Sequence, residues 1–153
     1  MTNSTTILRR LVVTGAVLVL GAGTLSAADK KIQAKDLPPA VQKAVQDETK
    51  GATIKGYAKE VEGGKTMYEV ETMVNGHSRD LTFDAKGVLV AVEEATTLDA
   101  VPVAVKAAFE ARGRVLTVER VTKGKVISYE AIVEKGGKKS EIALDADGKP
   151  LKP

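Results

Sequence analysis

Two short segments of the chain carry apolar residues at the three- and four-residue spacing of an α-helix. Each follows a proline, Pro38 or Pro102, which suits the first helical turn because its missing N–H has no partner there. A glycine, Gly51 or Gly113, stands where a left-handed C-terminal cap belongs. The pattern therefore predicts two short helices. Their inward positions are Val41, Ala44 and Val45 in the first and Val105, Ala108 and Phe109 in the second.

Alternation of apolar and polar residues follows each predicted helix and indicates β-strands. Glycine or asparagine separates the strands, because these residues adopt the positive φ of tight hairpins. Pro150 weakens the last strand and suits a sheet edge. After the first helix, the predicted strands span residues 53–61, 66–74, 78–84 and 88–93. After the second helix, they span 115–122, 125–134 and 138–144, and a stub follows Gly148.

This order of elements repeats within the chain. Tyr68-Glu69 and the later turn Asp84-Ala85-Lys86-Gly87 recur at one constant offset, as Tyr129-Glu130 and Asp145-Ala146-Asp147-Gly148. The helical segments match at a slightly larger offset, which predicts a shorter helix and a shorter first hairpin in the second copy. We therefore predict an α+β fold of two tandem α-β-β-β-β repeats, each a short helix packed on an antiparallel sheet.

Residues 1–28 have the layout of a secretory signal peptide. Arg9-Arg10 precedes the apolar run from Leu11 to Gly23, and Ser26-Ala27-Ala28 places small residues before a cleavage point at Asp29. The run is shorter than the roughly 20 residues of a membrane-spanning helix. We expect a periplasmic or secreted protein with no stable membrane span after cleavage. The expected divisions are a signal peptide, 1–28, an N-terminal tail, 29–35, and repeats at 36–93 and 94–153.

Charge gives little reason to expect a nucleic acid partner. Cleavage before Asp29 leaves 125 of the 153 residues and removes two of the 23 basic residues and no acidic residue. The mature chain then carries 21 basic and 20 acidic residues, a formal charge of +1. A nearly neutral chain with interspersed signs lacks the basic patch that nucleic acid binding requires. The chain has no cysteine, so packing alone must stabilise it.

Strand alternation assigns the predicted side chains to two faces. Tyr68, Val70, Leu81 and Phe83 share the face that a helix covers, and the opposite face stays open. Short loops offer no deep pocket, so a broad, shallow surface suited to a protein or an extended peptide is expected. The candidate binding residues on the open face are Met67, Glu69, Glu71, Met73, Thr82, Glu130, Ile132 and Glu141.

The ordered motifs resemble the PepSY-like, beta-lactamase-inhibitor-like domain family in its exported tandem form. The resemblance rests on a helix, strands with Tyr-Glu-x-x, a glycine turn and the Asp-Ala-x-Gly hairpin, over residues 36–152. It implies an exported module without enzymatic activity. The inhibitor-like name describes a shared fold, so inhibition does not follow from it.

Candidate catalytic and metal-binding residues do not form a set. His77 is the single histidine, and its hairpin neighbours Ser78 and Asp80 do not have the geometry of a catalytic relay. Asp145 and Asp147 begin like a calcium loop, but the later ligands of such a loop are missing. We expect no cofactor, no metal site and no catalytic residue.

The resulting hypothesis is an exported, non-catalytic binding module that binds or inhibits a protein or peptide through its open sheet face. The alternative is an envelope stress or metal-handling accessory protein, also without enzymatic activity.

Overall fold

The computed structural model describes residues 30–62 and 64–151. The expected signal peptide, 1–28, lies outside these residues. The described part of the chain contains no helix that is long and apolar enough to cross a membrane.

Two short helices and eight strands make up the described chain. The helices are α1, Pro39–Glu48, and α2, Val103–Glu110, and a 3-10 turn spans Ala34–Asp36. The strands are β1, Lys30–Ile32; β2, Thr53–Glu62; β3, Lys65–Val74; β4, His77–Asp84; β5, Leu89–Thr96; β6, Arg114–Lys123; β7, Val126–Lys135; and β8, Lys138–Asp145.

The eight strands form one antiparallel sheet in chain order, β1 to β8. Strand β5 pairs with β4 on one side and β6 on the other, so it runs through the expected boundary at residues 93–94 and joins the two halves. The segment expected as a tail also contributes a strand, because Lys30–Ile32 pairs with β2. In place of the short strand expected after Gly148, the structure has a single antiparallel β-bridge between Leu144 and Pro150. The α+β class is confirmed, and the sheet is continuous.

Each helix packs on its own apolar cluster. Val41 and Val45 of α1 contact the cluster of Leu37, Tyr68, Val70, Leu81 and Phe83. Val105 and Phe109 of α2 contact the cluster of Val101, Val118, Ala131, Val133 and Leu144. Phe83 and Phe109 are fully buried, so they anchor the first and the second cluster, respectively.

Both helices lie on the same face of the sheet. Leu81 of the first cluster pairs with Val92 of β5, and Thr96, further along β5, pairs with Val118 of the second cluster. Val92 and Thr96 are an even number of positions apart on their strand, so they point to one face. Within residues 30–62 and 64–151, no helix therefore lies over the opposite face of the sheet, as the alternation predicted. We call it the open face.

The two repeated tyrosines are not equally buried. Tyr68 is 8% exposed and belongs to the first cluster. Tyr129 is half-buried and packs against the second cluster from its margin. Both tyrosines have equivalent strand partners: Tyr68 pairs with Lys59 and Phe83, and Tyr129 pairs with Arg120 and Leu144.

The repeated Asp-Ala-x-Gly motif is a structural turn. Oδ1 of Asp84 accepts hydrogen bonds from the N–H groups of Lys86 and Val88, both at 2.9 Å. In the second copy Oδ1 of Asp145 accepts the same two bonds, from Asp147 and Lys149. The aspartate therefore closes each hairpin from within, which explains its recurrence without a calcium ion.

Candidate functional site

All eight candidate binding residues lie on the open face, and all are half-buried. The strand pairing brings them together in two groups. In the first half, Glu69 lies opposite Thr82, with Met67, Glu71 and Met73 alternating along β3. In the second half, Ile132 lies opposite Glu141, next to Glu130 on β7.

Acidic residues dominate the centre of the open face. Glu71, Asp80 and Glu93 lie directly opposite one another on β3, β4 and β5. Glu119 and Glu130 form a second such row on β6 and β7. These two rows concentrate negative charge at the centre of the open face.

We use the name acidic centre for seven acidic side chains of the open face. They are Glu69, Glu71, Asp80, Glu93, Glu119, Glu130 and Glu141.

The basic residues on this face of β3–β8 stand at strand ends. They are Lys65, Arg114, Lys123 and Lys139. Nη2 of Arg114 lies 2.6 Å from Oε2 of Glu134, at the margin of the face. The hydrogen bond from this guanidinium holds the pKa of the Glu134 carboxyl below its ordinary value. The charge of the open face is therefore divided into an acidic centre and a mixed margin.

Two acidic residues of the centre are placed by specific backbone features. A Cβ on Gly56 would lie 3.0 Å from Oε2 of Glu71, so the glycine leaves room for this carboxylate against β2. Asp80 is 5% exposed, and its Oδ1 accepts a hydrogen bond of 3.1 Å from the N–H of Thr72. This bond ties the side chain of Asp80 to the neighbouring strand.

The open face is shallow. A small depression in its second half holds about 10 Å³ and is lined by Thr117, Glu119, Glu130, Ala131, Ile132 and Glu141. Small-molecule sites typically enclose about 300–1,000 Å³. The surface therefore suits an extended or flat partner better than a small molecule.

Three members of the acidic centre are not among the candidate binding residues predicted from the sequence. They are Asp80, Glu93 and Glu119. The alternation along β4 already places Asp80 with Thr82, so its signal was available in the sequence. Glu93 and Glu119 come together with the others through the pairing of β5 with β6. That pairing joins the two halves of the sheet, and alternation within one half cannot predict it.

The structure separates the residues of the conceivable catalytic relay. His77 is exposed at the start of β4, and strand alternation directs it to the face opposite Ser78 and Asp80. Among residues 30–62 and 64–151, no group of three or more histidine or acidic side chains is arranged to hold a metal ion.

The sequence matches the model of one protein family in two overlapping regions, residues 24–91 and 66–152. The description of that family is "Putative beta-lactamase-inhibitor-like, PepSY-like". Together the regions cover most of the chain. No curated protein matches it.

Several solved structures share the fold. A protein from Bacteroides eggerthii, described as one of the "putative periplasmic proteins", is 26% identical, with a TM-score of 0.60 over 75% of this chain and 86% of that one. A DUF2874 family protein from Bacteroides uniformis is 24% identical, with a TM-score of 0.59 over 74% and 86%. A BLIP-like protein from Bacteroides fragilis is 24% identical, with a TM-score of 0.54 over 75% and 83%.

Proposed function

Because this chain belongs to the PepSY-like, beta-lactamase-inhibitor-like family, we propose that it is an exported, non-catalytic module whose open sheet face binds a basic segment of a protein or peptide. The single observation that carries the proposal is the acidic centre on a sheet face that neither described helix covers. A positively charged segment of the partner would complement the negative charge of these rows.

The composition of the open face supports a polypeptide partner. Met67, Met73 and Ile132 are half-buried apolar side chains beside the acidic rows. Flexible methionines adapt to different partner surfaces. Protein interfaces combine apolar contact with charges that set orientation and binding rate. Any inhibition of the partner would follow from occupying this surface.

Export is part of the same proposal. The secretory layout of residues 1–28 and the periplasmic description of the B. eggerthii protein both support it. We further propose that the mature chain consists of two tandem α-β-β-β-β repeats, residues 36–93 and 94–153. Matching registers support this division: Ile54 pairs with Thr72, and their equivalents in the second copy, Val115 and Val133, pair in the same way.

Charge reversal on the open face tests the proposed binding. We expect the double variant Glu71→Lys, Glu130→Lys to retain at least about tenfold less of its partner than wild type, because a basic segment would then meet like charge. Both side chains are half-buried on the open face, and a thermal melt of each variant checks that it remains folded. The measurement is quantitative mass spectrometry of envelope proteins retained on each immobilised protein.

The matched control is the double variant Asp47→Lys, Asp99→Lys, which changes the net charge equally on exposed helix-side residues. Proteins that wild type and this control retain, and that the sheet variant loses, are partners of the open face. Equal retention by the two folded variants would contradict the proposal.

A further inference from the structure

A depression of about 200 Å³ lies on the helix side of the first half, away from the open face. It is bounded by the 3-10 turn, α1 and β2, and Leu37 and Val45 at its base are each 4% exposed. Its lining residues are Ala34, Lys35, Leu37, Gln42, Val45, Gln46, Thr49, Ile54 and Tyr57. We call it the α1 pocket.

The second half of the chain has the same local backbone. Strand β2 has a bulge between Ile54 and Gly56, and β6 has one between Val115 and Thr117, at the same place in the register. In the helical segments, the match of Leu37-Pro38 with Val101-Pro102 fixes the corresponding positions. Each residue that lines the α1 pocket can therefore be compared with its counterpart in the second half.

Two larger side chains stand at the corresponding positions of the second half. Ala34 corresponds to Leu98, which packs against the second apolar cluster. Val45 corresponds to Phe109, which is fully buried. Ile54 is 37% exposed, whereas its counterpart Val115 packs against the cluster. At Tyr57, which also lines the pocket, the difference runs the other way, because its counterpart Val118 is smaller. The α1 pocket thus lies where the first half has an alanine in place of Leu98 and a valine in place of Phe109.

A difference in charge accompanies the difference in volume. In the second half, Nζ of Lys106 lies 2.6 Å from Oδ1 of Asp99. The corresponding residues of the first half are Gln42 and Lys35. In the described part of the chain Lys35 has no carboxylate within ion-pair distance. The rim of the α1 pocket therefore presents an ammonium group where the second half has a completed ion pair.

Lys35 is the one charged residue among those that line the α1 pocket, and two of the polar side chains around it form hydrogen bonds within the chain. Nε2 of Gln42 donates to the carbonyl of Leu37 at 2.9 Å, and the hydroxyl of Thr49 donates to the carbonyl of Val45 at 2.7 Å. Both groups are therefore held by the chain itself.

From these differences we propose that the α1 pocket binds a small carboxylic acid with a branched aliphatic or aromatic group. The apolar group takes the place that Leu98 and Phe109 fill in the second half, and the carboxylate pairs with Lys35. The volume is sufficient, since a cavity of about 150 Å³ accommodates benzene. This proposal concerns a different surface from the proposed protein-binding face, and either can fail alone.

Titration of the mature protein with 3-phenylpropanoate, followed by amide NMR, tests the proposal. We expect saturable shifts confined to residues that line the α1 pocket, with a dissociation constant in the millimolar range or somewhat below. The uncharged 3-phenylpropanamide should bind about two- to fivefold more weakly, because it cannot pair with the Lys35 ammonium. The variant Lys35→Met should bring the acid down to the affinity of the amide, while Lys125→Met, at the β6–β7 turn of the second half, should not.

Variants that fill the α1 pocket provide a second test. Ala34→Leu introduces the side chain of Leu98 at a site exposed to solvent, and Val45→Phe introduces the side chain of Phe109. Either change, alone or combined in a folded protein, should remove the saturable shifts and leave the open face unchanged. Absence of saturable shifts in wild type, or unchanged binding in a folded Ala34→Leu variant, would overturn the proposal.

Discussion

Replacement of Phe83 or Phe109 by alanine is expected to lower the free energy of unfolding by about 3–5 kcal/mol. Each ring is fully buried and sits in a different apolar cluster. Truncation loses the transfer free energy of the ring and leaves a cavity that close-packed neighbours fill only in part. Urea denaturation followed by circular dichroism measures the loss.

The control for this prediction is Val103→Ala on α2. Val103 is 86% exposed, so the substitution should change stability by less than about 0.5 kcal/mol. Because β5 joins the two halves of the sheet, we also expect each phenylalanine variant to unfold in one transition. A second transition confined to one half would mean that the shared strand does not couple the clusters.

Gly87→Ala is expected to cost about 2–5 kcal/mol. Gly87 has a φ of +81°, a conformation that costs other residues about 1–2 kcal/mol. A Cβ at this position would also lie 2.5 Å from the carbonyl oxygen of Ala40, so the backbone of α1 would have to shift. Overpacking of this kind typically costs a further 1–3 kcal/mol, roughly.

The matched control is Gly76→Ala, because Gly76 has a similar φ of +84° and nothing within 4 Å of the added Cβ. It should show the conformational cost alone. The difference between the two variants measures the contact between the hairpin and the helix. Equal losses of stability in both would show that this contact does not constrain Gly87.

The local elements could be predicted because their signals are local. Alternation of side chains placed the strands and both faces, and Pro38 and Pro102 marked the start of the helices. The recurrence of Asp-Ala-x-Gly also has a physical basis in the structure, since the aspartate closes the turn and Gly87 lies against α1. The whole set of candidate binding residues lies on one face for the same reason.

Features that depend on contacts between the halves could not be predicted in this way. β5 was expected to end at residue 93, but it continues to Thr96 because its second edge pairs with β6. Glu93 and Glu119 reach the acidic centre through that pairing. Prediction of the α1 pocket requires the register of the two halves, because only then can the side-chain volumes at Ala34 and Val45 be compared with those at Leu98 and Phe109.

The role of the open face is tested most directly by site-specific photocrosslinking in cells that export the protein. A photoreactive side chain at Thr82 or Ile132 would stand within the open face, and one at Lys43 or Ala107 would stand on the exposed side of a helix. If the open face binds a protein, Thr82 and Ile132 should give discrete adducts that weaken with added salt, and the helix positions should give none. Adducts confined to Lys43 and Ala107, or none from the sheet positions, would contradict the account.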